Sequence, residues 1–294
     1  MAAADEGRVF DIPKWNPETM AVDATCLAVG KRHAGKTTLM VDVMYHLQDK
    51  LDFVVGMNPT ENASNPTLGR FLPPAFVFDR YDEDKVKHIL EWQRRAVAQG
   101  KAMRMGLILD DCMGETTGSG KKMKIMSSGE IGKIFKIGRH RKIFFWCTLQ
   151  YMRDCPPDAR NNTDLLFLYN IPSDAERQKV HKDFFGMIQH YKDFVAILDA
   201  CTQGYGCLVL DTRIAMRDPA NCIFYYKAKP RRDSFQVGRP VFWEISKKVF
   251  IDRSDNDMDV SRVIGIDPLS TTKPVRSARG LIIHKVEEDE ESRK

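Results

Sequence analysis

Gly30-Lys31-Arg32-His33-Ala34-Gly35-Lys36-Thr37-Thr38 is the stretch of this chain best built to hold an anion. Gly30 and Gly35, bracketing four residues, let the backbone curl so that successive N–H groups face inward. Lys36 would then reach the β- and γ-phosphates of a nucleotide, and the Thr37 hydroxyl would ligate Mg²⁺. A helix starting here points its positive dipole end at the same anion. A mere surface lysine at a helix start is the competing reading, but the dipole disfavours a cation there unless an anion offsets it. Lys31, Arg32, His33 and Ala34 belong to the cofactor-binding loop and put three basic side chains at its apex, the least explained part of it, where they would touch a neighbouring subunit.

A phosphate loop needs a carboxylate on a second strand to hold the metal. "LILDD" supplies one: Asp110 at the end of the apolar run would orient Mg²⁺, and Asp111 is the candidate base for an attacking water. The pair would otherwise cap the next helix. The apolar run "KIFFWCTLQ" ends on Gln150, where a side-chain amide can bond both a γ-phosphate and a lytic water; a plain strand-terminal glutamine is the alternative. Strand-end acid pairs belong to ATPases that do mechanical work rather than to kinases or simple GTPases. Arg139 precedes this run and Arg160 follows it. Each would serve as an arginine finger for a neighbouring subunit, or equally as a salt-bridge or DNA-phosphate residue.

These residues must be positioned by strands and helices. Apolar runs at 24–29, 52–57, 75–79, 106–111, 142–150 and 164–170 read as strands. Helical spacing covers 37–48 and 83–99, with further helical patches near 174–190 and 191–201. "YGCLVLD" and "CIFYYKA" read as a hairpin. Uninterrupted apolar strands separated by helices imply a mostly parallel sheet covered on both faces. We therefore expect an α/β domain over 21–230, an N-terminal extension over 1–20 and a C-terminal extension over 231–294. The last is expected to be partly disordered with an acidic tail, "EEDEES", apart from the short apolar piece "GLIIHKV".

At 294 residues with 43% hydrophobic and 29% charged side chains, the chain reads as an ordinary globular protein with length for a real core. No apolar run is long enough to span a bilayer, and the N-terminus lacks a signal-peptide layout. Seven cysteines, an odd number without C-x-x-C spacing, suit reduced thiols better than a metal site. The net charge of +5 is unevenly placed. Lys121, Lys122, Lys124, Lys133, Lys136, Arg139, Arg141 and Lys142 form one basic cluster; Lys227, Lys229, Arg231, Arg232 and Arg239 form a second. Such clusters suit a polyanionic partner, or are simply solvated surface.

Taken together, the loop, "LILDD", "GRHRKIFFWCTLQ", "CPPDARNNTD", "YGCLVLD" and "FYYKA" resemble the poxvirus-type DNA-packaging ATPases of nucleocytoplasmic large DNA viruses, a branch of the FtsK/HerA superfamily. The similarity spans roughly residues 20–230. It implies an additional-strand P-loop ATPase, using ATP and Mg²⁺, that forms a homo-oligomeric ring and threads double-stranded DNA into a capsid without regard to sequence. By the same resemblance, Lys36 and Thr37 bind phosphate and metal, Asp110 and Asp111 are the metal and hydrolysis acids, Gln150 is the sensor, and Arg139 or Arg160 is the trans-acting finger. Its implied partners are capsid or internal-membrane proteins of the virion, and its place the virion or the virus factory in the host cytoplasm. Asp111 departs from the superfamily's usual Glu by one methylene. The Gly- and Lys-rich insert from 114 to 136 is long for a connection. It would carry basic loops to DNA phosphates, or be a regulatory or disordered loop. A nucleotide or nucleoside kinase, and a non-hydrolysing virion scaffold, are the competing functions.

Overall fold

The computed structural model describes residues 10–61, 66–114, 125–214 and 219–249. Among them, β1 (Thr25–Val29), β2 (Phe53–Met57), β3 (Val77–Phe78), β4 (Met105–Leu109), β5 (Ile143–Leu149), β6 (Leu165–Leu168), β7 (Gly206–Asp211) and β8 (Ile223–Lys227) form one sheet in the order β3-β2-β4-β5-β1-β6-β7-β8. The first six strands of the chain pair in parallel, and β7 and β8 extend the β6 edge antiparallel. β5 lies between β1, which feeds the Gly loop, and β4, which feeds the acid pair. It is the additional strand of the expected fold type. The helices are α1 (Lys36–Leu47), α2 (Glu83–Ala98), α3 (Gly129–Ile137), α4 (Pro157–Asn161), α5 (Asp174–Phe184), α6 (Tyr191–Cys201), α7 (Pro219–Cys222) and α8 (Pro240–Val249).

The central strands are apolar throughout because both faces are covered. Leu27, Val29, Leu107, Phe145 and Cys147 pack with residues of α2, α3, α5 and α6, while Cys26, Ala28, Ile108, Phe144 and Trp146 pack with α1. Side-chain caps start the polar-flanked helices: Asp82 accepts from the Lys85 N–H, Ser128 from Ile131 and Ser173 from Glu176.

Three expectations are corrected. The third strand is only Val77–Phe78, because Pro73 and Pro74 lead into a 3-10 turn at Pro74–Phe76. The first late helical patch stops at Phe184 rather than 190. Much of the 114–136 insert is not loop: α3 starts at Gly129 and buries Ile131, Ile134 and Phe135, and its lysines are paired, Lys133 with Glu130 at 2.7 Å and Lys136 with Asp158 at 2.8 Å. Lys121, Lys122 and Lys124, and everything from 250 on, including "GLIIHKV" and the acidic tail, lie outside the described residues.

The expected boundaries at 20 and 230 run through packed structure. Trp15, 2% exposed, sets its ring edge-on to Phe167 at 5.0 Å and to Tyr226 at 5.2 Å. The Tyr225 N–H donates to Pro13 O and the Trp15 N–H to Tyr225 O, so this segment lines β8 and shields the sheet edge. At the other end, Asp42 of α1, fully buried, accepts from the Tyr226 hydroxyl at 2.6 Å, the Lys229 N–H at 2.9 Å and Arg231 Nε at 2.7 Å. Phe235 stacks on Phe71 at 5.2 Å, and α8 places Phe242 against Phe53 at 5.0 Å. Composition marks a change after Lys229, but not that Arg231 answers a carboxylate buried on α1.

Candidate functional site

The loop leaves β1 at Val29, and the Gly30 N–H donates to Leu149 O at 3.1 Å, joining it to the end of β5. Gly35 takes φ 106°, a conformation a Cβ resists, and caps α1. His33 is also left-handed at φ 62°, and Lys31, Arg32 and His33 are all exposed at the apex. Ala34 closes the turn with its N–H on Lys31 O at 3.3 Å. Thr37 and Thr38 occupy the first turn of α1, at the positive end of its dipole.

Lys36 folds back over the loop. Its Nζ donates to Gly30 O at 2.7 Å and to Lys31 O at 3.0 Å. Burial lowers its pKa from the ordinary lysine value, opposed by the charges of Asp111 and Asp110.

The two acids follow β4 directly. Asp110 is 3% exposed; its Oδ2 accepts from the Thr37 hydroxyl at 3.2 Å and its Oδ1 from the Thr148 hydroxyl at 2.8 Å. Burial raises its pKa, against the lowering effect of those two hydrogen bonds, and the neighbouring Asp111 charge raises it further. Asp111 sits at φ 53°, with its N–H donating to Thr148 Oγ1 at 2.8 Å. Gln150 Nε2 donates to Asp111 Oδ1 at 2.8 Å. The structure therefore brings the loop, Lys36, Thr37, Asp110, Asp111 and Gln150 into one site at the carboxyl ends of β1, β4 and β5, where ligands of such sheets collect. An oxygen-only pair, Thr37 hydroxyl and Asp110 carboxylate, is a donor set that fits Mg²⁺, which keeps waters and phosphate oxygens as its other ligands.

Two residues of this site escaped sequence reading. Thr148 holds both acids, and the signal for it was a polar side chain inside an otherwise apolar strand. Tyr169, after β6, gave no signal; its hydroxyl donates to Gly35 O at 3.1 Å.

Arg139 and Arg160 are not brought to the loop. Arg139 pairs with Asp164 at 2.5 Å, and Asp164 also accepts from the Thr25 N–H at 2.8 Å. Thr25 begins β1, so Arg139 stands at the opposite end of that strand, about 13 Å of chain from the loop. Arg160 of α4 is bound to Asp183 of α5, with 14% of its side chain exposed.

Protein 088R of invertebrate iridescent virus 3 is 30% identical to this chain over 213 residues, spanning 71% of the chain and 78% of its own length. The chain belongs to this viral family. Protein L437 of Acanthamoeba polyphaga mimivirus is a further relative, 28% identical over 250 residues, 82% of this chain and 84% of its own. No protein-family model matches the chain. Among solved structures, the genome packaging NTPase B204 of Sulfolobus turreted icosahedral virus 2, in complex with AMP, aligns with TM-score 0.51 and 16% identity over 71% of this chain and 100% of that one. The pCW3 conjugation coupling protein TcpA with ATPγS aligns with TM-score 0.53 and 10% identity over 72% of this chain and 62% of its own. At these identities the likeness is one of fold. The chain shares with these two proteins the mostly parallel α/β fold that its motifs implied.

Proposed function

We propose that this chain binds ATP with Mg²⁺ and hydrolyses it to move double-stranded viral DNA into the capsid during virion assembly, working as a homo-oligomeric ring. The observation that carries the reading is the convergence, around the loop bearing Lys36, of the Thr37–Asp110 pair with the Asp111–Gln150 pair. A site meant only to hold phosphate has no use for a second acid bonded to a glutamine. The fold shared with a genome packaging NTPase and a conjugation coupling protein, and the large-DNA-virus relatives, support the DNA-moving part.

The loop N–H groups and Lys36 take the phosphates, with the ammonium leaving its two backbone carbonyls for them. Thr37 and Asp110 hold Mg²⁺, which when bound neutralises charge on the phosphates. Asp111 has one oxygen taken by Gln150 and the other free to accept a proton from water. Gln150 senses the γ-phosphate through the same amide. Both arginines are paired, Arg139 with Asp164 and Arg160 with Asp183, but Arg139 has 59% of its side chain exposed against 14% for Arg160 and is the better finger for a neighbouring subunit. Exposed Lys227, Lys229, Arg232 and Arg239 offer sequence-independent phosphate contacts, whereas Arg231 is committed to Asp42. No helix among the described residues is long and apolar enough to cross a membrane, and capsid or internal-membrane proteins of the virion are the further partners this reading implies. Action in the virus factory or the virion follows from this assignment.

The test is the ATPase rate of the purified chain with and without linear duplex DNA, beside its assembly state by light scattering. We expect turnover without any small acceptor, stimulation by duplex, a ring-sized particle and loss of activity in Lys36→Ala. Turnover that requires a small phosphate acceptor would assign a kinase instead. Mixing Arg139→Ala or Arg160→Ala subunits with wild type should depress activity more than in proportion if either acts in trans.

A further inference from the structure

Tyr169 lies under the phosphate loop. Its backbone N–H donates to Val29 O at 2.9 Å, so the residue stays in step with the end of β1, and its side chain is buried at 2% exposure. A Cβ added to Gly30 would stand 2.6 Å from Tyr169 Cβ and 3.2 Å from its Cγ; one added to Gly35 would stand 3.5 Å from its Cε1. Both glycines of the loop thus rest on this one side chain. Gly30 is needed for closeness to it, while Gly35 is needed for its positive φ. The Tyr169 hydroxyl donates to Gly35 O at 3.1 Å, the same carbonyl that accepts the first helical bond of α1 from the Leu39 N–H at 2.9 Å. The Cys207 thiol of β7 lies against that hydroxyl. Burial keeps the phenol protonated at any ordinary pH, so it remains a donor.

We propose that Tyr169 is the positioning residue of the phosphate loop: its ring sets the separation of Gly30 and Gly35, and its hydroxyl holds the carbonyl that caps α1. The loop N–H groups are then aimed before a triphosphate arrives. This rests on the nucleotide-binding reading above. Preorganisation of this kind lowers the ordering cost of binding. It does not touch hydrolysis, because Thr148 and Gln150 hold the acids and Tyr169 touches neither.

Tyr169→Phe keeps the ring and removes the hydroxyl; Tyr169→Leu removes both. Affinity is read by calorimetric titration with ATPγS, alongside steady-state kcat and KM, the melting temperature and amide exchange of residues 31–37. Loss of one hydrogen bond should weaken ATPγS binding and raise KM by about 3- to 10-fold in Tyr169→Phe. We expect kcat within about twofold of wild type, faster exchange of the loop amides, and a larger affinity loss in Tyr169→Leu. Wild-type protein that does not bind ATPγS would overturn the nucleotide reading and this proposal with it. Wild type that binds, with Tyr169→Phe binding equally well and exchanging its loop amides at the same rate, would overturn only the role of Tyr169. A lowered melting temperature with affinity and loop exchange intact would do the same, leaving Tyr169 as core packing.

Discussion

Gln150 Nε2 donates to Asp111 Oδ1 at 2.8 Å, joining the last residue of the additional-strand run to the second acid across 39 positions of sequence. The amide both aims the carboxylate and leaves its other oxygen available. Gln150→Ala should lower kcat by about 10²- to 10³-fold, the usual cost of one aimed donor at a reacting centre. KM for ATP should change little, because the loop and Lys36 are untouched. Steady-state kinetics decide; a change confined to KM would place Gln150 in binding alone.

Thr148 is 1% exposed and serves both acids, donating to Asp110 and accepting from the Asp111 N–H. Thr148→Val preserves shape and leaves the buried Asp110 Oδ1 and the part-buried Asp111 N–H without this partner. We expect about 1–3 kcal/mol of lost stability and a fall in kcat alongside it. Denaturant melts paired with activity assays measure both, and a variant as stable and active as wild type would remove Thr148 from the site.

Asp110 has its carboxyl pKa raised by burial. Relative to the unfolded chain the folded state holds that proton more tightly. Its stabilising share is therefore full below about pH 4 and is lost as pH rises through the elevated value. Asp110→Asn, in metal-free and nucleotide-free buffer, should lack that loss and melt no lower than wild type near neutrality, while hydrolysing no ATP. Melting curves across pH for the two proteins test it: parallel curves would show that the buried charge costs nothing.

Gly30 and Gly35 should fail for different reasons. Gly30→Ala forces a Cβ to 2.6 Å from Tyr169 Cβ, a backbone-anchored atom that cannot swing away. Gly35→Ala meets nothing closer than 3.5 Å but must hold φ 106°. Both should lose nucleotide binding, and shortening residue 169 should not rescue Gly35→Ala. Titration with ATPγS on each variant is the check.

Arg231 binds the fully buried Asp42 at 2.7 Å and stacks on Tyr45 at 3.8 Å. Removing one partner of a buried pair typically costs about 3–5 kcal/mol. Arg231→Ala should show a loss of that order, partly recovered by adding Asp42→Asn. Ending the chain at 229 should destabilise it at least as much, since Phe235, Val237 and Phe242 leave the core too.

The phosphate loop, the acid pair and Gln150 were legible because each is a local pattern: spaced glycines before a lysine, carboxylates at the end of an apolar run, an amide at the end of another. Parallel strands buried on both faces announce themselves by continuous apolar stretches, so most strands and the terminal hairpin were legible as well. α3 was hidden by the Gly- and Lys-rich text that precedes it, although Ile131, Ile134 and Phe135 carry its helical spacing. The destinations of Arg139 and Arg160 were not legible, since an arginine's partner depends on which carboxylate the fold delivers to it.

By itself the sequence determined which groups the site would offer a triphosphate-sized anion, a glycine loop with its lysine, an acid pair and a glutamine, because residue type and short-range spacing dictate that chemistry. The tertiary structure alone decided that β5 stands between β1 and β4, which puts Thr148 on both acids and Gln150 on Asp111. It also decided that Tyr169 underlies the loop and that residues 10–20 and 230–249 belong to the packed body. These contacts join positions from tens to nearly two hundred residues apart. Strand order and register, which no local pattern encodes, are what bring them together.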